Sequence, residues 1–389
     1  MDVISVNIPL FVPTYRVEEC LAEIRECLEK GWTGQGFKTV QFEQCWKAYT
    51  GLPYAHFIHS ATAGLSLALD VLKMSHHWKK GDEIITTPLT FVSTNHVIRY
   101  HGLKPVFADV DSYLCIDPAD IERKITPRTK AVMFVGIGGN TGQYEHVVHL
   151  CRRHQLCLIL DAAHMTGTRL HGVVPGQEAD AVVYSFQAVK NLPTADGGMI
   201  CFKEADHDAV VRKLTGLGMN KDVYTRTHID GPYKWLYDVE HIGYKYHGNS
   251  IMAAIGLVQL KYVDQDNAYR KQVAAWYETE LKSLVPHIQV VPLAPGCDSS
   301  RHLFIVSCAD RDELILHLNE HHIFPGVHYR ANTHYRMYRH AKGSCPVAEQ
   351  YSDTILSLPL HLRITYEDVQ YVIRQIRLFA EYKYEADWT

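Results

Sequence analysis

Short apolar runs alternate with amphipathic stretches through the first half of the chain. Runs of β-type composition fall at Tyr54–His59, Glu83–Thr87, Pro105–Ala108, Ala131–Val135, Leu156–Leu160, Ala181–Tyr184 and Met199–Phe202. Between several of them the spacing turns helical, over Ala63–Lys73, Thr94–Tyr100, Pro118–Lys124 and Glu145–His154. Strands alternating with helices predict an α/β domain on a largely parallel sheet. Four of the strands are nearly continuous apolar runs, as expected where helices cover both faces. In such sheets ligands bind beyond the carboxyl ends of the strands, so chemistry is sought just after each strand.

The rhythm changes past residue 203. Helical spacing at Asp206–Leu217 leads into a polar, aromatic loop, Asn220–Tyr246, and then into a long helical pattern, Ser250–Leu284. Past it come a short run at Gln289–Pro292, a strand at Leu303–Cys308, and helices at Arg311–His322 and from Glu367 to Tyr382. This predicts a smaller α+β domain hinged on the long helix. The expected division is 1–262 for a large α/β domain with an N-terminal arm and 263–389 for the small C-terminal domain. No internal repeat and no low-complexity tract interrupts it.

Composition narrows the class. A chain of 389 residues suits two domains, on a prior of roughly 100–200 residues each. Apolar residues make up 47% and charged residues 21%, a soluble globular mix. A net charge of −4 offers no electrostatic reason to expect nucleic acid or an anionic membrane. No apolar run approaches the roughly 20 residues that span a bilayer, and the first residues show no basic segment with a small-residue cleavage site. The ten cysteines are scattered without a C-x-x-C pair, which predicts a reduced, cytoplasmic protein. His146 and His149 share a helix face with no third ligand in sight, so no metal is expected.

Four segments carry candidate chemistry. In LILDAAH, Leu158–His164, an apolar strand runs into Asp161, a carboxylate at a strand's C-terminal edge; an Asp there also caps helices. In VVYSFQAVKNLPTADGGMI, Val182–Ile200, Ser185, Gln187, Lys190 and Asn191 follow a buried-type strand. A lysine enclosed between buried strands loses proton affinity and becomes a free amine able to form an imine. In HSATAGLSLAL, His59–Leu69, small residues turn directly into an apolar helix, so that an anion can approach the first-turn N–H groups; Ser60 or Thr62 as a plain N-cap is the simpler reading. In TTPLTFVSTNHVI, Thr86–Ile98, Phe91 follows a strand and suits either ring stacking or core packing. Together these set a phosphate cradle, a stacking aromatic, a carboxylate and an imine-forming lysine along one sheet edge. Pyridoxal phosphate (PLP) needs all four.

The chain resembles the DegT/DnrJ/EryC1/StrS family of sugar aminotransferases, within the fold type I PLP enzymes. The motifs run in family order: GWTGQG (Gly31–Gly36), GDEIITTPLTFVSTNHVI, DAAH, SFQAVKNLPTADGG, GYKYHGNSIMAAIGLVQL (Gly243–Leu260), RHLFIV (Arg301–Val306), GVHY (Gly326–Tyr329), CPVAE and ILSLPL (Ile355–Leu360). The resemblance implies a large, mostly parallel-sheet domain, a smaller α+β domain and a homodimer with active sites at the interface. It implies that Lys190 is the Schiff-base lysine, that Asp161 pairs with the pyridine nitrogen and that His164 lies near the phenolic oxygen. It implies that Phe91 stacks on the ring and that Ala61, Thr62 and Ser185 hold the phosphate. Thr33, Gly34, His328 and Tyr329 would line the side of a nucleotide-linked keto sugar, aminated at the expense of an amino acid such as glutamate.

Three departures stand out. Ala61 replaces a common glycine of the phosphate loop. Lys245 stands where the family has an asparagine that reaches the neighbouring subunit's phosphate; Lys245 or Asn249 is expected to make that contact. Gly136–Gln143, GIGGNTGQ, is unusually glycine-rich and is expected to alter the approach to cofactor or sugar. The loop Asn220–Trp235 offers Tyr224, Arg226, Tyr233 and Trp235 to a nucleotide or a partner subunit. Rival readings are amination of a cyclitol ketone, a sugar dehydratase, which Lys190 opposes because that relative carries histidine there, and a non-catalytic PLP-binding regulator, which the presence of both Asp161 and Lys190 opposes.

Overall fold

A computed structural model describes residues 7–221, 236–284 and 286–384. The loop residues Tyr224, Arg226, Tyr233 and Trp235 lie outside the described residues. Two helices that the apolar spacing does not announce come first, α1 (Val17–Glu29) and α2 (Phe37–Thr50). Both lie against a long helix described below. In α2 the buried set mixes Phe42 and Trp46 with Lys38, Thr39, Glu43 and Thr50, so no apolar stripe forms. In α1 the reverse holds, because Val17, Leu21 and Leu28 face outward.

The main sheet has seven strands: β1 (His56–Ile58), β2 (Glu83–Thr86), β3 (Lys104–Phe107), β4 (Thr129–Val135), β5 (Cys157–Asp161), β7 (Ala181–Ser185) and β8 (Gly198–Phe202). Their spatial order is β1-β8-β7-β5-β4-β2-β3. The two-residue β6 (Arg169–Leu170) pairs elsewhere, with β10 (Cys297–Asp298). The helices between them are α3 (Ala61–Ser75), α4 (Ser93–Tyr100), α5 (Pro118–Lys124), α6 (Tyr144–His154) and α7 (Ala205–Thr215). Strands β3, β2, β4, β5 and β7 run parallel, whereas β8 is antiparallel to both β7 and β1. The sheet is therefore mostly parallel, as the alternation of elements predicts. β8 reverses because residues 186–197 return as a loop without a crossover helix, and Lys190 sits on that loop. Side chains alternate between two cores. Val182 and Tyr184 join one cluster while Ala181 and Val183 join the cluster on the other face.

Helix α8 (Ser250–Leu281) leads into a three-stranded antiparallel sheet of β9 (Ile288–Val290), β11 (Phe304–Cys308) and β12 (Ile355–Leu358). This sheet packs with α9 (Arg311–Glu320), α10 (Pro346–Thr354) and α11 (Tyr366–Tyr384). Ala253 and Leu257 near the start of α8 belong to the core of the main sheet. Val273, Ala274, Tyr277 and Leu281 near its end belong to a third core, which also takes Ile8 from the N-terminal arm. The chain division at 262 and 263 thus falls inside α8. Among the described residues no helix is long and apolar enough to cross a membrane. All ten cysteines are free.

Candidate active site

Strand β5 runs one residue past its apolar stretch and ends on Asp161, whose surface is 4% exposed. Thr94, in the first turn of α4, donates its hydroxyl to Asp161 Oδ2 at 2.8 Å, and the Ala163 amide reaches Oδ1 at 3.2 Å. Burial pushes the carboxyl pKa up, and these two hydrogen bonds oppose the rise. An enclosed carboxylate held by only two donors keeps lone pairs for a further proton donor in the cleft.

The β7–β8 loop is closed at its neck, where the Phe186 amide donates to the Gly197 carbonyl and the Thr194 amide to the Phe186 carbonyl. Asn191 anchors its far side, donating to Asn267 Oδ1 at 2.7 Å and to the Ser300 carbonyl at 2.8 Å, while its Oδ1 accepts from His302 Nδ1. Lys190 keeps some accessible surface through the cleft, yet protein surrounds it closely. Desolvation draws its pKa down to about 8, against the pull of Asp161. At pH 7 roughly a tenth of such lysines are free amine, against about one in 3,000 for an unperturbed lysine.

Ser60 is the N-cap of α3, accepting from the Ala63 amide at 3.2 Å. The plain capping reading of this serine is therefore correct. It does not exclude the other, because the N–H groups of Ala61 and Thr62 stay without intrahelical partners and these residues line the cleft. A Cβ on Gly198 would stand 2.9 Å from the Ala61 nitrogen and 2.8 Å from the Tyr184 carbonyl oxygen, so only glycine lets β8 lie so close to this helix start. Ser185 ends β7 beside it, buried and lining the same cleft.

Phe91 is 56% exposed and lines the cleft, so core packing is not its role. Its ring lies 5.9 Å from that of Tyr329. His164 Nδ1 accepts from the Gly138 amide at 3.1 Å, which places the ring proton on Nε2, where it donates to the Tyr329 hydroxyl at 3.1 Å. Burial and the neighbouring Lys190 hold His164 neutral, well below the usual histidine range. Burial likewise draws His328 down to about 4; its Nδ1 meets Ser357 Oγ at 3.0 Å. The glycine-rich segment Gly136–Gln143 lies behind this wall and does not line the cleft. It acts on the site through the amide given to His164, and a Cβ on Gly139 would meet Ser300 Oγ at 2.5 Å.

The cleft encloses about 430 Å³ and brings together Ala61, Thr62, Phe91, Asp161, His164, Ser185, Lys190, His328 and Tyr329. Thr33, Gly34, Lys245 and Asn249 do not line it. Thr33, Gly34 and Asn249 gather at the start of α8, where the carbonyls of Thr33 and Gly34 accept from the Ser250 amide, while Lys245 pairs with Gly216 on the segment that runs along β1. Asn249 caps this helix through Oδ1, accepting from the Met252 amide at 2.9 Å. Lys245 is exposed on the adjoining segment. Sequence reasoning passed over Thr94, Asp196 and Gly197, which also line the cleft. A hydroxyl three residues past Phe91, on a helix beginning at a strand's carboxyl end, was the available signal for Thr94.

A sheet of this order, with a strand-end carboxylate, a loop lysine and an open helix start facing one cleft, defines the fold type I PLP-dependent aminotransferases. The chain belongs to the DegT/DnrJ/EryC1/StrS aminotransferase family, which it matches over residues 15–377. It is 34% identical over 382 residues to SpsC, a spore coat polysaccharide biosynthesis protein of Bacillus subtilis, covering 95% of this chain and 96% of that one. Helicobacter pylori PseC, an aminotransferase involved in the biosynthesis of pseudoaminic acid, superposes with a TM-score of 0.88 at 27% identity, covering 97% of this chain and 100% of PseC. Spr1654 of Streptococcus pneumoniae in its PLP form gives 0.87 at 27% identity, covering 97% and 99%. The protein is a PLP-dependent aminotransferase of amino-sugar biosynthesis. Its residues fit the cofactor: open amides for a phosphate, an enclosed carboxylate for a protonated ring nitrogen, and an amine with lowered proton affinity, in a cleft of ligand size.

Proposed function

We propose that the enzyme transfers an amino group from an amino acid, glutamate in the first place, to the keto group of a nucleotide-linked sugar. The product would serve a surface polysaccharide or a glycosylated metabolite. The observation that carries the reading is the convergence of Lys190, Asp161 and the start of α3 on one cleft whose outer wall is Phe91, His328 and Tyr329. PLP, when bound, carries nitrogen between donor and acceptor and takes up electrons from the reacting carbon.

Lys190 would hold the cofactor through Nζ, and the same amine would serve as base and acid for the proton at the substrate carbon. Asp161 would hold the ring nitrogen protonated, with Thr94 fixing the carboxylate's orientation. His164 lies at the phenolic side. Ala61, Thr62 and Ser185 bind the phosphate, and Phe91 stacks on the ring. His328, neutral at pH 7, and the Tyr329 hydroxyl suit sugar hydroxyls better than an anionic group. Thr33 and Gly34 serve the nucleotide-sugar side, and Lys245 or Asn249 reaches the partner's phosphate in a homodimer. Of the two, Lys245 is the freer, since the Asn249 side chain already caps α8.

The test is to charge the enzyme to its amino form with glutamate, remove the donor, and offer nucleotide-linked keto sugars and cyclitol ketones separately. A return of the aldehyde-form absorbance with a nucleotide-linked sugar alone supports the reading. A return with cyclitol ketones alone overturns it.

A further inference from the structure

A second, much smaller cavity lies on the other side of Lys190, between the N-terminal arm, helix α8 and residues 360–362. Its free volume of about 10 Å³ is on the scale of one water-sized particle. Arg270 of α8 reaches into it. The residue is only 8% exposed, and its Nη1 is fully enclosed with no hydrogen-bond partner. Among the described residues the one carboxylate lining the cavity is Asp266, already held bidentately by Arg16 at 2.7 and 2.6 Å. Gln259 uses its Oε1 on the Arg16 amide and its Nε2 on the Thr14 carbonyl. Asn191 Oδ1 is taken by His302.

His361 lines the same cavity with a second enclosed, unpartnered nitrogen, Nε2. Its Nδ1 accepts the Arg363 amide at 3.2 Å, so the ring proton sits on Nε2, and the Pro9 carbonyl and Asp368 both act on the ring. Two guanidinium groups therefore share Asp266, Lys190 adds an amine, and the residues carrying the two enclosed donors both line a space for one particle. A buried guanidinium without a partner is costly, and a water there would leave the excess positive charge standing.

We propose that this cavity is a binding site for a single small monovalent anion of the halide class, held by Arg270 Nη1 and His361 Nε2 next to Lys190. Chloride, the probe, should raise the proton affinity of Lys190 in the cofactor-free protein, a consequence that rests on the reading of Lys190 given above; the site itself does not.

Two measurements on the holoenzyme decide it. Melting temperature should rise with chloride relative to gluconate at equal ionic strength, because an ion that binds only the folded state stabilises it by mass action. Arg270→Met should abolish that increment and His361→Phe should reduce it. Independently, crystals of the unaltered enzyme in millimolar bromide should show one anomalous peak within hydrogen-bonding distance of Arg270 Nη1. Coincident chloride and gluconate curves, a chloride increment that survives Arg270→Met, or a bromide map with no peak there each overturns the proposal. The bromide map stands even if a variant fails to fold. An intact halide site in an enzyme that Lys190→Ala leaves active would sink the role of Lys190 and leave the anion site standing.

Discussion

The cleft around Asp161 and Lys190 and the cluster at the start of α8 were both expected to touch the ligands, and they differ in kind. The lining of the cleft comes from one chain: a strand end, a loop, a helix start and the segment carrying His328 and Tyr329 face one space. Thr33, Gly34 and Asn249 meet at the start of α8 and Lys245 stands further along the same segment, all outside that space and toward solvent. Residues that end on an exposed lysine need a second surface to be useful, and the proposed twofold dimer would supply one.

The largest expected effect strikes the cleft. Lys190→Ala should lower turnover by roughly 10³-fold or more, since both the attachment point and the proton carrier are lost. Borohydride reduction and peptide mapping of the parent should place the cofactor on Lys190. Label on another lysine would falsify the assignment.

Asp161→Asn comes next, with an expected loss of roughly 10²–10³-fold in turnover. The amide oxygen can still accept from Thr94, so cofactor should be partly retained and the fold kept, while the charge opposite the ring is gone. Turnover within a few-fold of the parent would remove Asp161 from the mechanism.

The outward cluster should respond differently. Lys245→Ala is expected to weaken PLP affinity about ten- to hundredfold, the Coulomb share of a cation near a phosphate at an effective dielectric of ~20. Cofactor and dimerisation should strengthen each other by the same factor. Asn249→Ala should mainly cost about 1 kcal/mol of stability through the lost helix cap. Spectral titration with PLP separates them, and two variants that both bind like the parent would erase the contrast between the regions.

The smallest effect is on pH. PLP uptake by the cofactor-free enzyme requires the free amine of Lys190, whose pKa burial lowers to about 8. The free fraction grows as pH rises, so the uptake rate should climb about tenfold from pH 7 and level off above pH ~9. A rate still climbing steeply at pH 10 would mean that Lys190 is not desolvated.

How much was legible follows from where the information lay. Asp161 and Lys190 could be read because each sits next to a buried strand, and strand ends in a parallel sheet converge on one edge whatever the loops do. Helix α2 escaped because its buried face carries Glu43 and Lys38 besides Phe42 and Trp46; Glu43 is satisfied by His56, the Phe57 amide and Arg212, brought from other segments. The glycine-rich segment was expected to shape the approach of the ligand. Its role turned out indirect, since Gly138 sets the proton position on His164 from behind.

The sequence by itself determined the alternation of strands and helices, the edge at which chemistry gathers and the residue types found there, because those depend on local periodicity and on motif order. Only the tertiary structure decided which hydroxyl holds Asp161, which nitrogen of His164 carries its proton, how far Lys190 is desolvated and that Arg270 Nη1 is left without a hydrogen-bond partner among the described residues. Each of these depends on distances between segments tens to hundreds of residues apart, such as Thr94 to Asp161 or Arg16 to Asp266. Packing sets such distances, and no local pattern in the chain encodes them.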